Sequence, residues 1–431
     1  MRKSYKRRGG QILVMTTFAL IPMFGILGLV VDIGYMEFVK QSAQTAADAA
    51  AMAALLRYQS TTFNSTFTCG SGGVVCQAAT SCNPAPTNYL NSGCQYAALN
   101  GFSSSGNQNV TMAAGTGVPP TAAGVSSSQY WITARVTQSV PQLFSAVLGN
   151  STGLVAARAT ASLNPSKDCM YVMAPTGTAV SMSGTPSITS ACGLYINSSD
   201  PSALHGNGTP TLSASEIDIV GGYSFGGTLN PNPPSTGVAS MADPLAALPA
   251  PSVGAGCDFS AGTYSGTINP GIYCGGIHVG NSTVTFNPGL YILKGGAIST
   301  QSANSVIQGT GVTIYNTYDA GNPYTGFNIK ATSTVSLTAP TSGTYAGVLI
   351  MEDRSISAGT YSDVFGGGSS AAYTGIIYGP KSNMTFHGNA SLTAYTIIVS
   401  YTLSMVGTTA INNDYSSLPT GSPIKVTALV E

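Results

Sequence analysis

Residues 269–297 read NPGIYCGGIHVGNSTVTFNPGLYILKGGA. In this stretch Asn269-Pro270-Gly271-Ile272-Tyr273 returns eighteen residues later as Asn287-Pro288-Gly289-Leu290-Tyr291. Gly275-Gly276-Ile277 returns twenty residues later as Gly295-Gly296-Ala297. Short apolar alternations between Gly, Asn and Pro turns suit rungs that bury their inward residues only by stacking on neighbours. The texture continues downstream in GVTIYN (311–316), FNIKA (327–331), TVSLTA (334–339), GVLIMED (347–353), GIIYGP (375–380) and MTFHG (384–388). It predicts an all-β domain over 166–431, read as a right-handed parallel β-helix or solenoid. A β-sandwich, which also yields many short strands, is the alternative.

Working outward, the composition suits such a domain outside the cytoplasm. Only 7% of the 431 residues are charged, 43% are hydrophobic and Gly numbers 52. Net charge is zero, yet five of the fifteen basic residues (Arg2, Lys3, Lys6, Arg7, Arg8) crowd the start. The remaining ten face fifteen acidic residues, so no basic surface is left to neutralise phosphates and nucleic-acid binding is excluded. The eight cysteines, Cys69, Cys76, Cys82, Cys94, Cys169, Cys192, Cys257 and Cys274, lack the close pairs of zinc sites. They read as disulfides between sequence neighbours in an oxidising compartment.

The basic start (1–11) runs into ILVMTTFALIPMFGILGLVV, Ile12–Val31, twenty residues without a charge. That run is long enough to span a bilayer and has no small-x-small cleavage site behind it. It predicts a retained, single-pass transmembrane helix with its amino terminus in the cytoplasm, and Asp32 marking the outer interface. Residues 32–58 extend the helix. Ala43, Ala47 and Ala51, with Ala46, Ala50 and Ala54, form a small-residue stripe for close helix packing, against either the chain's own ectodomain or other subunits. Residues 59–165 read as an α+β module: a disulfide-stapled loop, a helix at Asn88–Leu99, strands at Tyr130–Gln138 and Leu154–Leu163, and a short amphipathic helix at Val140–Leu148.

Arg8-Gly9, Asp32-Ile33-Gly34 and Gln44-Thr45-Ala46-Ala47-Asp48-Ala49-Ala50-Ala51, set around an apolar run, resemble the amino-terminal region of TadG-like proteins of bacterial tight-adherence (Flp) pilus assembly systems. The resemblance covers about 50 residues. It differs from type IV prepilins, which carry Glu where Met15 stands here. It implies a bacterial cytoplasmic (inner) membrane protein whose bulk is extracytoplasmic and whose partners are other pilus or secretion-system proteins. Many TadG-like proteins also carry a metal-ion adhesion domain marked by D-x-S-x-S; Met170–Gly184 lacks that motif.

Signals for chemistry are sparse. His205, His278 and His387 stand far apart without partner carboxylates, and are read as surface residues. Gly375–Ser382 is too short for a phosphate loop. Glu352, Asp353, Arg354 and Asp363 could serve a polysaccharide-active β-helix, but neighbours on a strand face opposite ways, so Glu352 and Asp353 are expected not to converge and the segment is read as an exposed turn or a local ion pair. No enzyme, cofactor or metal is expected. The preferred reading is a membrane-anchored structural or assembly component acting by protein contacts. The alternative is a cell-adhesion protein or glycan-binding solenoid using exposed Tyr264, Tyr324, Tyr345, Tyr361 and Tyr373.

Overall fold

The structure, a computed structural model, describes residues 9–61, 67–70, 73–119, 130–367, 371–387, 391–412 and 422–430. The chain divides into two compact units, 1–164 with 426–431, and 165–425. The basic head at 1–8 lies outside the described residues, as do the side chains at 9–14, 21, 22, 24, 25 and 27 within the apolar run.

The first unit begins with one uninterrupted helix, α1 (Gly9–Thr61). At 1.5 Å per residue it is roughly 80 Å long. Its described side chains change character at Asp32. Met15, Phe18, Met23, Ile26, Leu29 and Val30 are exposed before it; Ala43, Ala46, Ala47, Ala50, Ala51 and Ala54 beyond it are fully buried. Among the described residues no helix is long and apolar enough to cross a membrane.

The alanines pack into the core of their own unit. That core adds α2 (Leu90–Leu99) and a sheet of β1 (Gln77–Ser81), β2 (Gln108–Thr116), β3 (Tyr130–Pro141) and β4 (Thr152–Pro165). Adjacent strands are antiparallel, and Val110, Val136 and Ala157 share a register row, as do Met112, Ala134 and Ala159. These alternate residues all point to the helix, as a period of two requires. Small residues matter where α2 crosses α1: a Cβ on Gly93 would lie 2.8 Å from the Ala50 carbonyl oxygen. The chain's last strand, Lys425–Leu429, returns from the second unit to sit beside β4.

The helix expected at Val140–Leu148 does not form. β3 runs on through Pro141, and only a single 3-10 turn, Ser145–Leu148, follows. Leu143 and Phe144, expected on its apolar face, are exposed.

In the second unit the described strand pairings are parallel, which a sandwich of hairpins would not give. The repeat that opened the sequence stacks on itself. Asn287 Nδ2 donates to Asn269 Oδ1 at 2.8 Å, and the Tyr273 and Tyr291 rings lie 5.9 Å apart. Each tyrosine hydroxyl donates to the carbonyl four residues earlier, Asn269 or Asn287.

Spatial order departs from the simple series the repeat suggests. One register row runs Ile196, Val172, Ser400, Gly379, so the first strand of the unit (Asp168–Val172) is inserted beside the late strand Ser391–Val406. The chain starts mid-stack, builds outward to Thr236, and returns through 237–261, a connection without a strand of two or more residues. Its return is traced by side chains that hold it. Asn197 bonds Met241, Tyr378 donates to Asp243, Arg354 to the carbonyls of Ala246 and Leu248, and Lys294 to those of Gly254 and Ala255. This long strap is absent from a reading that counts only short turns.

All eight cysteines pair with their sequence neighbours: Cys69–Cys76, Cys82–Cys94, Cys169–Cys192 and Cys257–Cys274. Closing loops of 12 to 23 residues stabilises by about 3 kcal/mol each in the chain-entropy account.

Asp168, beside the Cys169 bridge, is buried, and burial with the nearby Glu216 and Asp218 carboxylates pushes its carboxyl up to about 7, against a smaller opposing pull from Lys167. A raised carboxyl means that ionisation opposes folding. Its contribution is therefore complete in acid and is lost as pH rises from the ordinary value of 3.8 towards 7. Denaturant titrations of the wild type at pH 5 and pH 8 should show lower stability at pH 8, by up to about 3 kcal/mol. Asp168→Asn should flatten most of that difference; an equally steep slope in the variant would mean another group is responsible.

Candidate functional site

Sequence alone placed Asp32 at a membrane interface; the fold gives its side chain a partner. Asp32 is buried, and its carboxylate accepts three backbone hydrogen bonds, from Leu143 N–H (3.0 Å), Phe144 N–H (3.0 Å) and Ser145 N–H (2.7 Å). These are the orphan donors that open the 3-10 turn, and an anion there meets both the N–H groups and the favourable end of the turn's dipole. The Ser145 N–H in particular holds the Asp32 carboxyl below the usual carboxylate range, against the opposing effect of burial. The helix expected at Val140–Leu148 is replaced from both sides: Val140 and Pro141 pair with Gly153 and Thr152 in the sheet, and Asp32 holds the amides of Leu143 to Ser145 against α1.

Glycine lets the turn come close. A Cβ on Gly28, one helical turn before Asp32, would lie 2.4 Å from the Phe144 ring. A Cβ on Gly153, at the start of β4, would lie 2.9 Å from Met36 Sδ. The 141–153 corner of the sheet is thus joined to α1 between Gly28 and Met36, where the apolar run ends. Around that joint the surface is apolar: Leu143 is 71% exposed, Leu154 69% and Phe38 65%, with Ile33 and Tyr35 also exposed.

The other candidate residues fall as follows. The six alanines of the stripe are covered by the chain's own sheet and α2. Of the tyrosines expected on the surface, Tyr324 and Tyr373 are buried instead: alternation on the strand Ala372–His387 turns Tyr373 inward, and Tyr324, in the 318–327 connection, packs edge-on against Tyr361 at 4.7 Å. Tyr264, Tyr345 and Tyr361 are half-buried. His205, His278 and His387 are half-buried too, and His278 Nδ1 meets Ser299 Oγ at 2.7 Å. Glu352 and Asp353 do face apart, but 352–354 is not an exposed turn. Glu352 is buried, Asp353 accepts from Thr317 and Ser355, and Arg354 is engaged by the strap. Nothing local marked Asp32 as a ligand for a turn more than a hundred residues away. Its sequence signals were a lone acid at the edge of an apolar run and its place in Asp32-Ile33-Gly34, and neither names a partner.

No curated protein and no solved structure matched the chain. Residues 10–57, which lie within α1 and include the Asp32 junction, match the family model described as Putative Flp pilus-assembly TadE/G-like.

Proposed function

We propose that this chain is a single-pass membrane component of a Tad/Flp-type pilus assembly system, acting through protein contacts without turnover. The observation that carries the reading is the coincidence at Asp32. The TadE/G-like segment, the end of the uncharged run Ile12–Val31 and the weld to the folded unit all meet there. The basic head stays in the cytoplasm, Ile12–Val31 spans the inner membrane, and the bulk of the chain is extracytoplasmic, where its four disulfides persist. Leu143, Phe144, Leu154 and Phe38 form an apolar collar that rests at the bilayer surface, as amphipathic side chains do at such interfaces. The second unit is a β-solenoid, its parallel ladders coiling around one interior, and its sides contact other pilus or secretion-system proteins.

The test is fractionation of cells producing the full chain, with protease added to spheroplasts. The reading expects sedimentation with membranes, resistance to carbonate extraction, degradation of the bulk from outside, and recovery of pilus-assembly proteins after cross-linking and detergent solubilisation. Recovery in the soluble fraction as an intact chain would overturn the anchor. A surface adhesin or glycan-binding solenoid has weaker support, since burial of Tyr324 and Tyr373 breaks up the proposed sugar platform.

A further inference from the structure

The interior of the second unit holds a polar cluster that the contact function does not use. Asn316 lies opposite Glu352 in the parallel ladder. Met351 lies opposite Tyr378, so Glu352 falls next to Gly379. The short strand Ser362–Phe365 brings in Asp363, and Ser382 and Tyr324 close the group. Glu352, Asp363 and Asn316 are at most 1% exposed and Tyr324 5%.

Some of their atoms are accounted for. Asp363 Oδ1 accepts the Phe327 N–H at 2.8 Å, Glu352 Oε2 accepts from Ser382 Oγ, and Asn316 Nδ2 donates to the Thr325 carbonyl at 3.0 Å. That last bond fixes which end of the Asn316 amide is oxygen. Four oxygens remain without a hydrogen-bond partner: Glu352 Oε1, Asp363 Oδ2, Asn316 Oδ1 and the Tyr324 hydroxyl. Glycines leave the carboxyls their room. A Cβ on Gly379 would lie 2.4 Å from Glu352 Oε2, and one on Gly326 2.7 Å from Asp363 Oδ1.

The groups acting on the two carboxyls are each other, Ser382, Tyr324 and the Phe327 N–H; no Lys, Arg or His is among them. Two carboxyls thus sit out of water with no side chain to neutralise them, a costly arrangement unless something else supplies positive charge. The donor set is oxygen alone, which suits hard cations and not zinc or copper. Among the described residues no group of three or more His, Cys, Asp or Glu is arranged to hold a metal ion; here two carboxylates are completed by neutral oxygens.

We propose that Glu352, Asp363, Asn316 and Tyr324 form an interior site for one hard divalent cation of the calcium type, taken up as the second unit folds. The charge of the ion matches the two carboxylates, and its ligands come from separate strands and the 318–327 connection, so it ties them together. A proton held between the carboxyls would neutralise one charge and leave the other.

The experiment is elemental analysis of the purified full chain after gel filtration in chelator. About one equivalent of calcium or magnesium per chain, retained while folded and released on denaturation, is expected. Refolding with calcium should give a higher unfolding midpoint than refolding with chelator, and Glu352→Gln with Asp363→Asn should carry no metal. The proposal fails if the wild type neither retains such an ion nor takes one up on refolding, or if the double variant keeps it. An infrared band of a protonated carboxyl in the metal-free wild type, lost in Glu352→Gln, would assign a shared proton instead. The wild-type metal content decides the matter even where the variants fold poorly.

Discussion

Asp32→Ala is expected to free the amides of Leu143, Phe144 and Ser145 at once, raising their hydrogen-exchange rates at least about tenfold. All three N–H groups converge on one carboxylate, and removing it leaves three donors without their acceptor. Exchange elsewhere in α1 and β3 should change far less, because the alanine core that joins them is untouched. Asp32→Asn, which keeps one carbonyl oxygen but loses the charge, should fall between. The sign with pH follows from the lowered carboxyl. Protection at 143–145 should be complete above the ordinary carboxylate range and decline only as pH falls through the depressed Asp32 value. Unchanged exchange at these amides in Asp32→Ala would remove the junction from the argument. A soluble chain with the junction intact would instead remove the anchor alone.

The largest loss of stability should come from the second unit's aromatic stack. Phe365 is buried, with Phe327 at 5.4 Å, Phe386 at 5.2 Å and Tyr373 at 5.9 Å between ring centroids. Tyr373 and Phe386 lie on one long strand, Ala372–His387, and Phe327 on the 318–327 connection, so Phe365→Ala opens a cavity bounded by both. About 3–5 kcal/mol should be lost. The single tryptophan, Trp131, lies on β3 of the first unit, so its fluorescence follows that unit while far-UV circular dichroism follows mainly the strands of the second. The variant should shift the dichroism transition in denaturant by that amount. A change below about 1 kcal/mol would show that the stack is not a packed interior.

Much of the fold was written in local pattern. The uninterrupted Ala-rich segment gave α1, alternation at Tyr130–Gln138 and Leu154–Leu163 gave the two central strands of the first unit, and the spacing of Asn269 and Asn287 gave a stacked repeat. The glycine-rich turns gave parallel ladders over antiparallel hairpins only as a preference. The pattern failed where a distant group intervened. Val140–Leu148 has helical periodicity, yet its first two residues pair with β4 and Asp32 claims the N–H groups of Leu143, Phe144 and Ser145. Glu352 and Asp363, eleven positions apart, were weighed as surface charges because nothing in a strand says which face looks inward.

The sequence by itself settled the kind of element at most positions and the place where the uncharged run stops. Those depend on the chain's geometry over one or two turns, which 3.6-residue and two-residue periods report directly. Only the tertiary structure decided who covers the alanine stripe, how 237–261 returns along the second unit, and which donors meet Asp32. The bonds at Asp32 join residues 111 to 113 positions apart, and such a meeting depends on the path of everything between them. A carboxylate reads the same in sequence whether it faces water, a turn or another carboxylate; the fold alone fixes which.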